Sequence, residues 1–130
     1  MHQNKVVVFV CEHGAAKSIL AAALFNTLAC DRNLQLTAIA RGTHPVAELS
    51  AEAVSGLRAD GLTPTALIPT RLEWKDLASA ERVVSFCTLP EQYHQTARVE
   101  YWDDIPPVSE EYERARDAII AHLKELLNLL

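Results

Sequence analysis

Residues Lys5–Asn26, KVVVFVCEHGAAKSILAAALFN, decide the fold of this chain. The run Lys5–Val10 is dominated by valine, and an unbroken β-branched run is typical of a strand buried on both faces of a parallel sheet. From Ser18 onward, alanine and leucine recur at helical spacing, which predicts a helix that begins at Ser18 or just before it. The residues Cys11–Ser18 therefore form a tight turn from the carboxyl end of a strand into the N-terminus of a helix.

This turn, CEHGAAKS, is a candidate anion-binding loop. The first N–H groups of a helix have no intrahelical acceptor, and the helix macrodipole favours negative charge at the same end. The same groups, together with the ammonium of Lys17, would stabilise the thiolate of Cys11. Cys11 is therefore a candidate nucleophile facing a bound oxyanion, with a buried structural cysteine as the alternative, and the spacing alone does not choose between them. His13 either faces the ligand or points to solvent.

Length and composition predict one globular domain over residues 1–130. A chain of 130 residues, 49% hydrophobic and 22% charged, can bury a core without disulfides or metals. The net charge of -5, without a basic stripe, argues against a nucleic-acid partner. No apolar run reaches the ~20 residues of a membrane span, and the N-terminus lacks the features of a signal peptide. We therefore expect a cytoplasmic protein that does not bind membranes.

The cysteines and histidines do not form the patterns of a disulfide framework or a metal site. The three cysteines, Cys11, Cys30 and Cys87, are too few and too scattered for a secreted disulfide scaffold. No pair of them has the short spacing of a zinc site, and the five histidines do not cluster in the sequence. We expect neither a metal nor a cofactor.

The rest of the chain alternates strands with helices. Further strands are predicted over residues 34–40, 82–87 and 97–102, and a loop or half-formed helix over 89–96. After the first helix, which should end near residues 29–31, helices are predicted over 50–60, over 72–80 as a short helix or turn, and from 109 to the C-terminus. This alternation predicts an α/β fold, a four-stranded parallel sheet flanked by helices with right-handed crossovers.

Local signals set the predicted ends of these elements. Ser50 is a good N-cap for the second helix, and Gly61 is expected to stop it. The segment RGTHP breaks the chain after the second strand, and Gly42 in it is free to take a positive φ. Ser109 is expected to cap the C-terminal helix.

Four further side chains are candidates for the chemistry: Cys87, Asp103, Asp104 and Ser18. Equivalent strand ends of a parallel sheet share one edge, so Cys87 is expected near Cys11, although a small apolar strand residue is the simpler interpretation. Asp103 and Asp104 follow the last strand on a proline-stiffened loop, either as catalytic acids or as solvated turn residues. A thiolate, a cation and an acid suit thiol attack on a tetrahedral oxyanion ester, in which the acid protonates the leaving oxygen. Ser18 either donates a hydrogen bond to the Cys11 sulfur or caps the helix, and both roles are compatible.

The loop residues carry a resemblance. Cys11, a further five residues, Lys17 and Ser18, directly after VVVFV, resemble the phosphate-binding loop of the low-molecular-weight protein tyrosine phosphatases and the related thioredoxin-coupled arsenate reductases. The likeness covers nearly the whole chain and includes the segments RGTHP (41–45), 50–61, VVSFC (83–87), WDDIP (102–106) and YERARDAI (112–119). It implies the same four-stranded parallel sheet and an anion-binding loop made of Glu12, His13, Gly14, Ala15, Ala16, Lys17 and Ser18.

The departures from the family pattern bear on the activity. Lys17 stands where the family has arginine, and an ammonium is a point charge that cannot reproduce the planar fork of a guanidinium. The family places proline directly after the acid, whereas Ile105 separates Asp104 from the proline here. Asp104 is our first choice for the acid and Asp103 the second. The aromatics that recognise phosphotyrosine have no clear match.

Three functions follow from the resemblance. The first is slow hydrolysis of a phosphomonoester through a thiophosphate intermediate on Cys11. The second is arsenate reduction by Cys11 and Cys87, whose disulfide thioredoxin would reduce; a third cysteine for the family's relay is missing from residues 88–97. The third is binding of phosphate or another oxyanion without turnover, which the lysine and the altered acid loop also suit.

Overall fold

The computed structural model describes residues 5–94 and 99–130. Its strands are β1 (Lys5–Cys11), β2 (Leu36–Gly42), β3 (Ala80–Ser85) and β4 (Val99–Tyr101). Its helices are α1 (Lys17–Asp31), α2 (Ala51–Ala59), α3 (Trp74–Ala78) and α4 (Tyr112–Asn128), with a 3₁₀ turn at Glu91–Tyr93. All strand pairs are parallel and the sheet order is β2-β1-β3-β4. The predicted fold class is confirmed.

β1 lies inside the sheet, between β2 and β3, and both of its faces are buried. Val7 and Phe9 belong to the larger core, which contains residues of α1, α2 and α4. Val8 and Val10 belong to a smaller core on the opposite face, beside Leu72, Leu77, Leu89 and Tyr93. Successive side chains of a strand point to opposite faces, so a strand with a core on each side must be apolar at every position.

The strand boundaries differ from the predicted ones. β2 begins at Leu36 and continues to Gly42, because it stays in register with β1 up to the pair Cys11 and Gly42. β3 ends at Ser85, so Cys87 lies just beyond the strand rather than at its last position. The start of the predicted fourth strand at Ala97, like residues 95–96 of the predicted loop, lies outside the described residues.

The helix ends follow local signals in one case and not in another. The hydroxyl of Ser50 accepts a hydrogen bond from the Ala53 N–H at 3.3 Å, and Gly61 follows α2 with a φ of 77°, as predicted. The prediction that Ser109 caps the C-terminal helix is wrong. The N–H groups of Glu110 and Glu111 both donate to the Pro107 carbonyl, so a turn precedes the helix, which begins at Tyr112.

Within the described ranges, none of the helices combines the length and the apolar character of a membrane span.

Candidate active site

The loop between β1 and α1 turns its carbonyl groups toward the segment that follows β2. The Cys11 carbonyl accepts from the Thr43 N–H at 3.1 Å, and the Glu12 carbonyl accepts from the His44 N–H at 2.7 Å. Further along the loop, the His13 carbonyl accepts from the Val46 N–H at 3.3 Å, and the Ala15 carbonyl accepts from the Ser50 N–H at 2.9 Å. By contrast, the N–H groups of residues 12–16 find no acceptor among the residues that the structure describes. At the start of α1, the N-cap is Ala16, which has no side-chain oxygen to bond the first turn. Unpaired N–H groups at a helix N-terminus form a site for an anion.

Gly14 and Gly42 allow this loop to contact the end of β2. Gly14 has a φ of 64°, which favours glycine. A Cβ at Gly42 would lie 2.7 Å from the backbone nitrogen of Gly14 and 2.9 Å from its Cα. Gly42 itself belongs to β2 and does not use the freedom of a glycine to take a positive φ. It must be glycine because the loop backbone occupies the space that a side chain would need.

Cys11 is buried and bonded to the first turn of α1. Its Sγ lies 2.9 Å from the Oγ of Ser18, a side chain with no exposed surface. Of the two predicted roles of Ser18, the structure has the hydrogen bond to Cys11, since the N-cap of α1 is Ala16. A hydroxyl that donates to a thiolate stabilises its charge, as charge-assisted hydrogen bonds are the stronger ones.

Cys11 lines a cleft of about 490 Å³. Most of the Cys11–Lys17 loop forms one wall, and the segment 46–50 after β2 forms another. The remaining walls come from Phe86 and Cys87 after β3 and from residues 107–109 before α4. Lys17 has no ion-pair partner among the described side chains, so its ammonium is available to a bound anion.

Cys87 lies in the same cleft as Cys11, where the shared sheet edge predicts it. The hydroxyl of Ser85 accepts from the Cys87 N–H at 3.2 Å and donates to the Cys87 carbonyl at 2.6 Å, which fixes a turn at this position. Burial raises the pKa of the Cys87 thiol, and the nearby charges of Cys11 and Glu12 raise it further, against hydrogen bonds from Ser85 and Thr43. Cys87 therefore shares the cleft with Cys11 closely enough for the charge of Cys11 to raise the pKa of the Cys87 thiol.

The two acidic candidates do not line this cleft. The Nε2 of His122, on α4, donates to the carboxylate oxygens of Asp104 at 2.9 and 3.0 Å. This hydrogen bond lowers the pKa of Asp104, whereas a general acid works best with a pKa near the operating pH. Asp103 lines a neighbouring cavity of about 380 Å³, whose walls also include Phe86 and Cys87. Asp103 thus lines a cavity that shares two wall residues with the Cys11 cleft, whereas Asp104 lines neither of these two cavities.

Sequence reasoning missed three polar residues of the site. Thr43 donates its hydroxyl to the Glu12 carbonyl at 3.4 Å, Ser85 forms the turn at Cys87, and Glu48 lines the cleft. Of these, only Ser85 could have been identified from the sequence, because it is the one hydroxyl residue in the apolar run VVSFC. Across residues 5–94 and 99–130, His, Cys, Asp and Glu side chains form no group that would hold a metal ion.

Comparison with solved structures finds the same fold in phosphatases and arsenate reductases. YfkJ from Bacillus subtilis superposes with a TM-score of 0.84 at 17% identity, covering 98% of this chain and 94% of that one. A low molecular weight protein tyrosine phosphatase from T. tengcongensis gives 0.80 at 19% identity, with 97% and 99% covered. An arsenate reductase from Archaeoglobus fulgidus gives 0.76 at 24% identity, with 94% and 98% covered. These likenesses show the fold.

Sequence comparison supplies the family. No curated protein matches the chain significantly. The family model described as low molecular weight phosphotyrosine protein phosphatase matches residues 6–104, which include the anion-binding loop, Cys87 and both loop acids. Because this match spans most of the sequence, the chain belongs to the low molecular weight phosphotyrosine protein phosphatase family.

Proposed function

We propose that the protein hydrolyses a phosphomonoester through a thiophosphate intermediate on Cys11. The observation that carries the proposal is the 2.9 Å contact between Cys11 Sγ and Ser18 Oγ, beside a loop whose N–H groups at residues 12–16 find no acceptor in the described structure. A nucleophile with a hydrogen-bond donor, next to preorganised donors for an oxyanion, is the arrangement that phosphoryl transfer to a thiolate requires.

Each part has a role in the proposed reaction. The loop N–H groups and the ammonium of Lys17 hold the phosphoryl oxygens, and the Cys11 thiolate attacks phosphorus. The leaving oxygen takes a proton, and a water then attacks the thiophosphate. In that second step the Ser18 hydroxyl stabilises the departing thiolate of Cys11. Since Lys17 is a point charge rather than a planar fork, we expect slow turnover.

We assign the proton for the leaving oxygen to Asp103 rather than to Asp104. Asp104 is engaged by His122, whose hydrogen bond lowers the pKa of the carboxyl and favours the form that has no proton to donate. Asp103 lies in the wall of a cavity that shares Phe86 and Cys87 with the Cys11 cleft. A free thiol nucleophile fits a reducing compartment, so a cytoplasmic location is part of the same proposal.

Trapping the intermediate tests this function. The protein is mixed with 4-nitrophenyl phosphate and quenched in acid within the first turnover, and its peptides are examined by mass spectrometry for a phosphoryl group on Cys11. Cys30→Ser, which removes an exposed cysteine outside the cleft, is the matched control and should label as the wild type does. Phosphate binding without any labelled Cys11 would contradict hydrolysis and favour the oxyanion binder.

Arsenate reduction is the second candidate, because Cys87 lines the same cleft as Cys11. In this reaction the Cys11 thiolate would bind arsenic, the Cys87 thiolate would attack the Cys11 sulfur, and the electron pair of the broken As–S bond would leave with arsenite. A dithiol of the thioredoxin type would then reduce the Cys11–Cys87 disulfide. Cys87→Ser separates the two functions, since it would abolish arsenate reduction and leave phosphate ester hydrolysis in place.

A further inference from the structure

Two carboxylates line the cleft that holds Cys11. Glu12 belongs to the anion-binding loop and Glu48 to the segment after β2, and both side chains are exposed. Neither forms an ion pair with any side chain in the described part of the chain. Both carboxylates are therefore free to interact with a bound molecule.

Backbone hydrogen bonds connect the two segments that carry Glu12 and Glu48. The carbonyl of Glu12 accepts from the His44 N–H at 2.7 Å, and the carbonyl of Ala15 accepts from the Ser50 N–H at 2.9 Å. Glu48 lies between His44 and Ser50 in the sequence, on the segment that is bonded to the loop carrying Glu12. The two carboxylates thus belong to segments that backbone hydrogen bonds join.

The charges in the cleft do not suit a phosphate ester alone. Lys17 is the one lysine or arginine among the cleft-lining residues described, against the two carboxylates of Glu12 and Glu48. Carboxylates beside an anion site weaken anion binding and disfavour an anionic leaving group, unless the substrate brings its own positive charge. The other walls offer apolar surface, from Val46, Phe86 and Val108, that suits an uncharged spacer.

We propose that the cleft selects phosphate esters whose leaving group carries a protonated amine, with Glu12 and Glu48 as the specificity-determining carboxylates. This inference rests on the proposed hydrolysis at the same site. The phosphoryl group lies at the loop N–H groups and Lys17, the spacer packs on the apolar wall, and the two carboxylates of the cleft attract the ammonium. Opposite charges across a binding site give selectivity more than raw affinity.

Binding to Cys11→Ser, which holds esters without turning them over, tests the inference. The probes are inorganic phosphate, 4-ethylphenyl phosphate and 4-(aminomethyl)phenyl phosphate, of which the last two differ only in a terminal methyl against a terminal ammonium. Calorimetry should give the amine ester about fivefold higher affinity, the product of two partly screened charge pairs. This preference should fall in Cys11→Ser with Glu48→Gln, and also at high salt.

Controls separate this inference from the function beneath it. Glu125→Gln in the same background removes an equal charge from an exposed position on α4 and should keep the full preference. If phosphate binds but the two esters bind equally, the specificity inference is overturned while the oxyanion site stands. If phosphate itself does not bind, the oxyanion site is refuted and the specificity inference is overturned with it.

Discussion

Among substitutions at the candidate site, Gly42→Ala is expected to disrupt the structure most. An added Cβ at Gly42 would lie 2.7 Å from the Gly14 nitrogen, 2.9 Å from the Gly14 Cα and 2.9 Å from the carbonyl carbon of His13. All three are backbone atoms of the anion-binding loop, so no side-chain rotation relieves the contact. The loop must move away from β2, or β2 must move away from the loop.

The size of the movement follows from the contact. Ordinary van der Waals separation begins at 3.4 Å, so the 2.7 Å contact requires a shift of about 0.7 Å. Overpacking of this kind costs about 1–3 kcal/mol of stability. The same shift displaces the N–H groups that are to hold the phosphoryl oxygens, and a misplacement near 1 Å costs about a hundredfold in rate.

Thermal unfolding and phosphate affinity measure the two effects separately. Gly42→Ala should lower the unfolding midpoint by several degrees and weaken phosphate binding. The matched control is Gly61→Ala, which has a φ of 77° but no heavy atom within 4 Å of the added Cβ. It should cost about 1 kcal/mol from backbone strain and leave phosphate affinity unchanged. If Gly42→Ala kept both wild-type stability and wild-type phosphate affinity, the reasoning about this contact would be refuted.

Three more substitutions test single contacts of the site. Ser18→Ala should keep the first burst of product but slow the steady state about tenfold or more, because the Cys11 thiolate loses its 2.9 Å hydrogen bond; an unchanged burst-to-steady-state ratio contradicts this. Cys11→Ser removes a negative charge that raises the pKa of Cys87, so iodoacetamide should alkylate Cys87 faster at pH 8, as measured by mass spectrometry; an unaltered rate would show that the charges do not interact. His122→Ala should raise the pKa of Asp104 in an NMR titration. Because the folded-state pKa of Asp104 is depressed, its hydrogen bond with His122 stabilises the fold at pH values above the ordinary aspartate pKa of about 3.9. This stabilisation is lost as the pH falls through the folded-state pKa of Asp104. The gap in unfolding midpoint between wild type and variant should therefore be larger at pH 5 than at pH 2, and an equal gap at both would count against the pair.

The sequence predicted the features that depend on neighbouring residues or on strand topology. The valine run of β1 predicted burial on both faces, and Ser50 and Gly61 bounded α2 through bonds and torsions within a few residues. The placement of Cys87 beside the Cys11 cleft followed from parallel strands alone, because their carboxyl ends share one edge.

What the sequence did not predict depends on contacts between distant segments. Gly42 is a glycine because of Gly14, and only the folded chain brings the two backbones together. Asp104 is held by His122 from the last helix, a partner that no pattern near residues 103–107 indicates. The sequence left the role of Ser18 open between a helix cap and a hydrogen-bond donor to Cys11, because a serine at this turn could serve in either role.

The most direct test of Cys11 as the nucleophile is hydrolysis of 4-nitrophenyl phosphate by the wild type and by Cys11→Ser, compared between pH 5 and 8 alongside inorganic phosphate affinity. The account predicts slow hydrolysis by the wild type and none above background by Cys11→Ser, with phosphate still bound by the variant. Equal hydrolysis by both proteins would contradict it, since the reaction would then proceed without the Cys11 sulfur.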